Sequence, residues 1–380
     1  MTIRGRRLAG CVLMCLSAQA GAAMQDAAAR AKEAYARAIE LEAKGNNAAA
    51  LSLLWEASGL APHDADVQNR LGEALERIGA LDAALDAYRR AVAERPAFTK
   101  ASNNLILALV KTARGEEAVE RARALVAAAP DEADRYFTLG LAQSEQDVGE
   151  AINSFRRALA LAPRHTLARY NLALVLKRAD RLNEAAEELE RAIAIEPRAE
   201  AQYTLGVIYW HQNDLGRATA ALGAAIAMEP RYADAHYTLG AVLKATRDLT
   251  GSAASLRRAI ALKPESSEAH YMLGQVLALA GDQPGARAEF AEGERLRRQA
   301  ELEHEAGVWT AVGSQKLNGG DLTGALDCFR RATALDETYA PAHYQMGRVL
   351  QELGQPEAAR SAFARARQLN PSLVPPRIPN

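Results

Sequence analysis

Seven prolines recur on an almost constant beat: Pro62, Pro96, Pro130, Pro163, Pro197, Pro230 and Pro264, with gaps of 34, 34, 33, 34, 33 and 34 residues. A period this regular predicts one supersecondary unit copied many times, and it constrains the fold more than any other feature of the chain. A second beat runs between the prolines. Leu71-Gly72, Leu139-Gly140, Leu205-Gly206, Leu239-Gly240 and Leu273-Gly274 hold one place in their units. Ala84, Ala118, Ala185 and Ala218 hold another, and four residues later comes an aromatic residue or Leu, as in Tyr88 and Leu222. A further alanine slot is filled by Ala91, Ala158, Ala192, Ala225 and Ala259.

Each unit reads as two helices and a turn. In one copy the apolar spacing predicts helices from Ala233 to about Ala245 and from about Thr250 to Leu262. The glycine and the two alanine slots are small because packed helices approach closely there, and a larger side chain would force them apart. The closing proline ends the second helix, which it cannot continue. Turns such as Lys44-Gly45-Asn46-Asn47, Ile78-Gly79 and Gly281-Asp282 carry the usual turn residues. One helix pair cannot bury its own apolar faces, so the pairs must stack.

This pattern resembles the tetratricopeptide repeat family. The resemblance rests on Leu-Gly in the first helix, Ala and Tyr or Phe in the second, then Ala and the closing Pro, as in His236-Tyr237-Thr238-Leu239-Gly240 followed by Ala259-Ile260-Ala261-Leu262-Lys263-Pro264. About ten units are expected, beginning near residues 31, 65, 99, 133, 166, 199, 233, 267, 306 and 340. The resemblance implies an all-α, right-handed superhelical solenoid that acts as a protein-binding scaffold, and it leaves the ligand open. Three units depart from the pattern: the first has Arg37-Ala38 and the third Leu105-Ile106 in place of Leu-Gly, and the ninth ends in Glu337 where Pro is expected.

The chain carries 46 basic and 47 acidic residues, a net charge of −1. Residues 1–23 read as a secretory signal peptide. Arg4, Arg6 and Arg7 precede the apolar run Leu8–Ala18, and small-x-small cleavage signals stand at Ala18-Gln19-Ala20 and Gly21-Ala22-Ala23. Without Arg4, Arg6 and Arg7 the balance is 43 basic against 47 acidic residues, about −4. No basic excess is available to hold a phosphate backbone, so a nucleic-acid partner is not expected. Leu8-Ala9-Gly10-Cys11 also has the outline of a lipobox, but its apolar stretch lies after the cysteine. A membrane tether would need lipidation at Cys11 or an uncleaved leader, and a cytoplasmic scaffold with an uncleaved start is a third option. Cys328 is the one cysteine beyond the leader, which excludes an intramolecular disulfide in the processed chain. Beside Phe329 it reads as a small buried residue. Nothing in the sequence sets an oligomeric state.

The eighth unit is five residues longer than its neighbours and lacks its closing proline. Glu292–Glu305 contains strong helix formers, mixed charge and no strong breaker. Two readings stand: an extended second helix with a solvated face, or a helix that separates two sub-arrays. The second gives a first array over 31–297, a second over 298–371 after the long helix, and a proline-rich tail over 372–380.

In the family, the first helix of each unit lines the concave surface, and its positions two, five, nine and twelve share one side. Position five reads Tyr35, Asn69, Asn103, Phe137, Tyr170, Tyr203, Tyr237, Tyr271, Thr310 and Tyr344, an aromatic ladder in its middle portion. Position nine adds Leu141, Leu174 and Val207; position twelve adds Lys177, Trp210 and Lys244, with His211 alongside. Phe137, Leu141, Tyr170, Leu174, Lys177, Tyr203, Val207, Trp210, His211, Tyr237, Lys244 and Tyr271 are therefore the expected protein-binding residues. They would suit an extended segment or helix with aromatic or aliphatic anchors. The bland alternative is that the tyrosines belong to the repeat pattern and pack on their neighbours. Acids at position two, among them Asp66, Asp134 and Asp234, are expected from the helix dipole alone.

No nucleophile elbow, phosphate-cradling glycine loop, zinc-protease helix or cysteine pair is present. His236, His270 and His343 hold equivalent places in their units and read as repeat-packing residues, since sites on successive helices lie too far apart to share one metal. The sequence thus predicts a non-catalytic scaffold without cofactor or metal, binding protein or peptide segments in a bacterial cell envelope. The alternative is an accessory subunit of a polysaccharide-export or glycosyltransferase system.

Overall fold

The computed structural model describes residues 26–373; the leader and the end of the tail lie outside them. Nineteen helices and no strand occur among the described residues. In chain order they are α1 (26–43), α2 (Asn47–Leu60), α3 (Ala65–Arg77), α4 (Leu81–Glu94), α5 (Thr99–Lys111), α6 (Gly115–Ala128), α7 (Ala133–Gln143), α8 (Val148–Leu161), α9 (Thr166–Arg178), α10 (Leu182–Ile195), α11 (Ala199–His211), α12 (Leu215–Met228), α13 (Ala233–Ala245), α14 (Leu249–Leu262), α15 (Ser267–Leu279), α16 (Gln283–Asn318), α17 (Leu322–Leu335), α18 (Ala340–Glu352) and α19 (Pro356–Leu369). They are helix-turn-helix pairs, as the all-α repeat reading expects. The chain divides into two compact units, Met1–Ile208 and Tyr209–Asn380, each with its own packed interior.

The small-residue beat has a direct cause. The glycine of the first helix receives the aromatic or Leu side chain of the second. A Cβ added at Gly140 would lie 2.7 Å from the Phe155 ring, and one at Gly72 2.5 Å from Tyr88. Gly240 faces Leu256, Gly274 faces Phe290, Gly313 faces Phe329 and Gly347 faces Phe363 in the same way. Phe155, Phe329 and Tyr88 are fully buried, so these rings cannot retreat. The alanine slots are buried too, with Ala84, Ala91, Ala118, Ala158 and Ala185 showing no exposed surface.

The turns use a second rule. A left-handed residue closes nine of them: Gly45, Gly79, Ala113, Asp180, Asn213, Arg247, Gly281, Gly320 and Gly354. An acid then caps many of the second helices, as Asp147, Asp214, Asp248, Asp282 and Asp321 each accept a backbone N–H at the helix start. At Asp214 that bond, together with the Arg217 guanidinium, holds the carboxyl below its usual range.

Between units, a polar side chain near the start of the first helix reaches back to the carbonyl that ends the previous one. Gln68 donates to Pro62 at 3.0 Å and Arg169 to Pro163 at 2.7 Å. A ring nitrogen of His236, His270 and His343 lies 3.2, 3.2 and 3.0 Å from the carbonyls of Pro230, Pro264 and Glu337. These histidines therefore serve the joints of the repeat. Cys328 is buried beside Phe329.

The expected eighth and ninth units are joined in an unexpected manner. Residues read as the second helix of one and the first helix of the next form a single helix, α16, of 36 residues. Its early part packs on α15 through Ala286 and Gly293, its late part on α17 through Ala306, Thr310 and Gly313, and no residue between Gly293 and Ala306 is buried. No closing proline or left-handed residue interrupts the stretch, so the helix runs through the place where the other units turn.

Candidate functional site

None of the twelve residues read from the sequence as a binding face is buried. Ten are half-buried, while His211 and Tyr271 are exposed. Phe137, Leu141, Tyr170, Leu174, Lys177, Tyr203 and Val207 belong to the first compact unit; Trp210, His211, Tyr237, Lys244 and Tyr271 belong to the second. Their rings do double duty. Phe137 lies 4.8 Å from His165 and 6.0 Å from Phe155, both with tilted rings, Trp210 lies 6.2 Å from His211, and Tyr271 lies 5.1 Å from Phe290. Lys244 is held by Gln275 at 2.7 Å. Phe137, Tyr271 and Lys244 thus pack on neighbouring side chains, as the repeat-pattern alternative expects, while keeping part of their surface open to solvent.

One construction recurs beside the position-five tyrosines. In the first unit, a slot of about 250 Å³ is walled by Tyr170 and Leu167, floored by Ala192 and flanked by Glu196, Arg198 and Glu200. In the second unit, a slot of about 420 Å³ is walled by Tyr237, floored by Ala259 and flanked by Lys263, Glu265 and Glu268. Tyr170 matches Tyr237, Ala192 matches Ala259 and Glu200 matches Glu268 in the repeat. The alanine leaves the floor open, the tyrosine supplies a flat wall, and the next first helix closes the far side with Ala201 or Ala269. Leu167 is 45% exposed, which leaves the first slot a greasy lip. Burial pushes the Tyr237 phenol above its ordinary value and the Glu268 charge adds to this, so the hydroxyl stays protonated and able to donate. Lys263 pairs with Asp234 at 2.7 Å, which gives the position-two acid a local partner.

The sequence reading missed the floor and the mouth of these slots. Its only signal for the floor was the alanine beat, which reads equally as close packing. It also missed that ion pairs join the first helices of the early repeats, with Glu73 at the place where the next units carry Leu107, Leu141 and Leu174. The Glu42 carboxylate, 6% exposed, is gripped by Arg70 at 2.6 Å and by Arg77. Glu73 binds Lys100 at 2.7 Å and Arg70 at 3.2 Å, and Asn104 donates to Asn69 and Glu73 at 3.0 and 3.2 Å. Burial alone would raise the Glu73 pKa; the hydrogen bond and charge of Lys100, helped by Asn69 and Arg70, hold it below its ordinary value. Asn69 and Asn103 in the position-five series, with Glu73 where other units have Leu, were the available clue.

Among the described residues no cluster of three or more His, Cys, Asp or Glu side chains could hold a metal ion, and no helix is long and apolar enough to cross a membrane.

Comparison with known proteins gives a consistent picture. Tetratricopeptide repeat profiles match residues 35–97, 142–207, 203–253, 238–301 and 340–373, and a TPR repeat profile matches 313–354. None of the curated proteins matches the sequence. Among solved structures, the chain is similar to a tetratricopeptide repeat protein from Parabacteroides merdae, 18% identical, over 65% of this chain and 99% of that one, with a TM-score of 0.52. MamA from Desulfovibrio magneticus (26% identity, 44% of this chain and 95% of that one, TM-score 0.40) and PilF of Pseudomonas aeruginosa (18%, 57% and 93%, TM-score 0.46) are also similar. The proline beat, the glycine-against-aromatic packing and profiles that together match well over half of the sequence make this chain a member of the tetratricopeptide repeat family.

Proposed function

We propose that this chain is a non-catalytic scaffold that binds protein segments along the exposed side of its first helices. Each bound segment presents an apolar or aromatic side chain to a tyrosine-walled slot. The observation that carries this reading is the recurrence of one slot, with the same tyrosine wall, alanine floor and position-two glutamate, in both compact units. One volume lies below and the other in the lower part of the range for drug-sized ligands, about 300–1,000 Å³, which suits single side chains. Tyrosine walls give large contact area at little entropic cost, and the mixed charge at each mouth can meet the backbone and polar flanks of a segment. Protein interaction is also what the repeat family generally mediates.

The test is selection of displayed peptides against the full chain, followed by titration of the enriched peptides on Tyr170→Ala and Tyr237→Ala. Affinity should fall at least about tenfold when a wall tyrosine is removed, with far-UV circular dichroism unchanged. Peptides that bind both variants as well as the parent would overturn the slot reading, and binding to glycans without any peptide would favour the accessory-subunit alternative.

We further propose that the scaffold works in the cell envelope. The support is Arg4, Arg6 and Arg7 before the apolar Leu8–Ala18 run and its small-residue cleavage signals. Intact-mass measurement of the chain recovered from the producing cell decides this. A start at Gly21 or Met24 supports export, a mass increase from acylated Cys11 supports a tether, and an unprocessed Met1 in the cytosol refutes both.

A further inference from the structure

The fused helix α16 leaves half of a repeat interface on each side of the fusion. In regular units the third residue of a first helix is buried against the preceding pair: Ala235 shows no exposed surface, Ala269 shows 1% and Ala342 none. Val308 holds that place in the ninth unit and is 50% exposed, with Val312 one turn on at 37%. The surface on which it would pack is open as well. Tyr271 is 56% exposed, and Tyr271, Met272, Phe290, Gly293 and Arg297 line an open groove of about 710 Å³. Val308 and the groove residues Phe290, Gly293 and Arg297 lie at different heights on the one helix α16, so within one chain Val308 cannot reach the groove.

The residues along α16 between those halves show what would bring them together. Phe290, Glu294, Arg297, Glu301, His304 and Val308 are spaced by 4, 3, 4, 3 and 4, the spacing of a helix–helix seam. Phe290 is half-buried, and the other five are exposed. The seam is self-complementary about residue 299: run antiparallel against itself, Phe290 meets Val308, Glu294 meets His304, and Arg297 meets Glu301, each pair made twice. No like charges oppose one another.

We propose that α16 is a homodimer interface: two copies of this chain pair antiparallel along α16 about a two-fold axis at residue 299. Each copy inserts Val308 beside Phe290 and Tyr271 of the other, supplying the packing that the missing turn withholds. The seam from Phe290 to Val308 is about 27 Å long at 1.5 Å per residue. The axis makes the contact isologous, so it closes at two copies and does not propagate. Arg297 already binds Glu294 at 2.7 Å and Glu301 at 3.3 Å within its own helix. Those pairs are solvent-exposed and cheap to rearrange, so the charges set register and direction while the apolar ends hold the copies together. This interface goes beyond the slot reading: Tyr237 and Glu268 of the second slot also line the rim of this groove, but the seam itself runs along α16, which carries no wall tyrosine.

Sedimentation of the full chain across a concentration series tests the proposal. The parent should reach twice the monomer mass. Arg297→Glu alone and Glu301→Arg alone should each weaken the dimer about tenfold, because each puts like charges in contact twice. Mixed one to one, the two variants should recover the parental association: one chain then offers acids at both seam positions and the other bases at both. The intrahelical pair is broken in both variants, so a purely structural effect cannot produce that recovery. A parent that stays monomeric up to about 100 µM, a dimer indifferent to both substitutions, or variants that remain monomeric when mixed would each overturn the proposal.

Discussion

The same substitution should have opposite effects at Gly140 and Gly223. Both glycines lie inside helices, where alanine is intrinsically better by about 1 kcal/mol because it restrains the unfolded chain and shields the backbone. At Gly223 in α12 an added Cβ meets nothing within 4 Å, so Gly223→Ala should stabilise by about that amount. At Gly140 in α7 the new methyl would sit 2.7 Å from two ring carbons of Phe155 and 2.9 Å from a third. Phe155 has no exposed surface and also packs on Phe137, so relief requires α7 and α8 to part. Overpacking of this kind costs about 1–3 kcal/mol, which cancels or exceeds the propensity gain. A net loss of up to about 2 kcal/mol is expected at Gly140, and a gap between the two variants of about 1–3 kcal/mol. Repeat arrays open locally, so the informative assay is amide hydrogen exchange resolved by helix. In Gly140→Ala, exchange within α7 and α8 should quicken by up to an order of magnitude or more, whereas Gly223→Ala should slow exchange in α12. If both variants slow exchange to the same degree, the glycine beat is not explained by ring packing.

Three further outcomes follow from the joints and charges. Gln68→Leu removes hydrogen bonds to Ser58 and to the Pro62 carbonyl at a buried site, and should cost about 1–2 kcal/mol in urea denaturation. Gln68→His should recover much of this, since His236 and His270 make the equivalent carbonyl contact. Glu73 has a folded pKa below its ordinary 4.5, so its stabilisation is present above about pH 4.5 and lost as pH falls through the folded value; Glu73→Gln should flatten that acid limb in thermal melts taken from pH 6 down to pH 3. Arg247 adopts a left-handed backbone at φ 65°, so Arg247→Gly should raise thermal stability by a few tenths to about 1 kcal/mol, where a drop would show that its side chain matters more than its backbone.

The repeat was legible because its constraints are local. A proline ends a helix and a glycine admits a ring wherever they occur, so the helix expected from Ala233 to Ala245 is observed with those ends, and its partner starts at Leu249, one residue before the expected Thr250. Faces of single helices were legible for a similar reason: helical spacing alone puts Tyr170, Leu174 and Lys177 on one side of α9, where each is half-buried. The fusion in α16 was harder to read. Glu292–Glu305 is rich in helix formers, but so are the second helices that do stop, and what stops them is a turn the eighth unit lacks. The slots were hidden because their floors are alanines already explained by close packing. The ionic grip on Glu42 was hidden because Arg70 and Arg77 lie 28 and 35 residues away, partners that only stacking brings together.

The continuous backbone of α16 changes how order spreads along the array. A stack of repeats behaves as a one-dimensional chain of coupled spins, in which each unit is held by its neighbour across a packed interface. Between Gly293 and Ala306 no residue is buried, so that lateral coupling is thin and the main link is the hydrogen-bond ladder of one largely solvated helix. A link of that kind transmits helicity but little packing energy, since isolated helix is marginal in water. A boundary between folded and unfolded segments should therefore pin at this stretch, so that α17, α18 and α19 melt as a separate cooperative block with the end of α16. Pairing of two chains along the same stretch would move that boundary, which makes the length of the cooperative block itself depend on protein concentration.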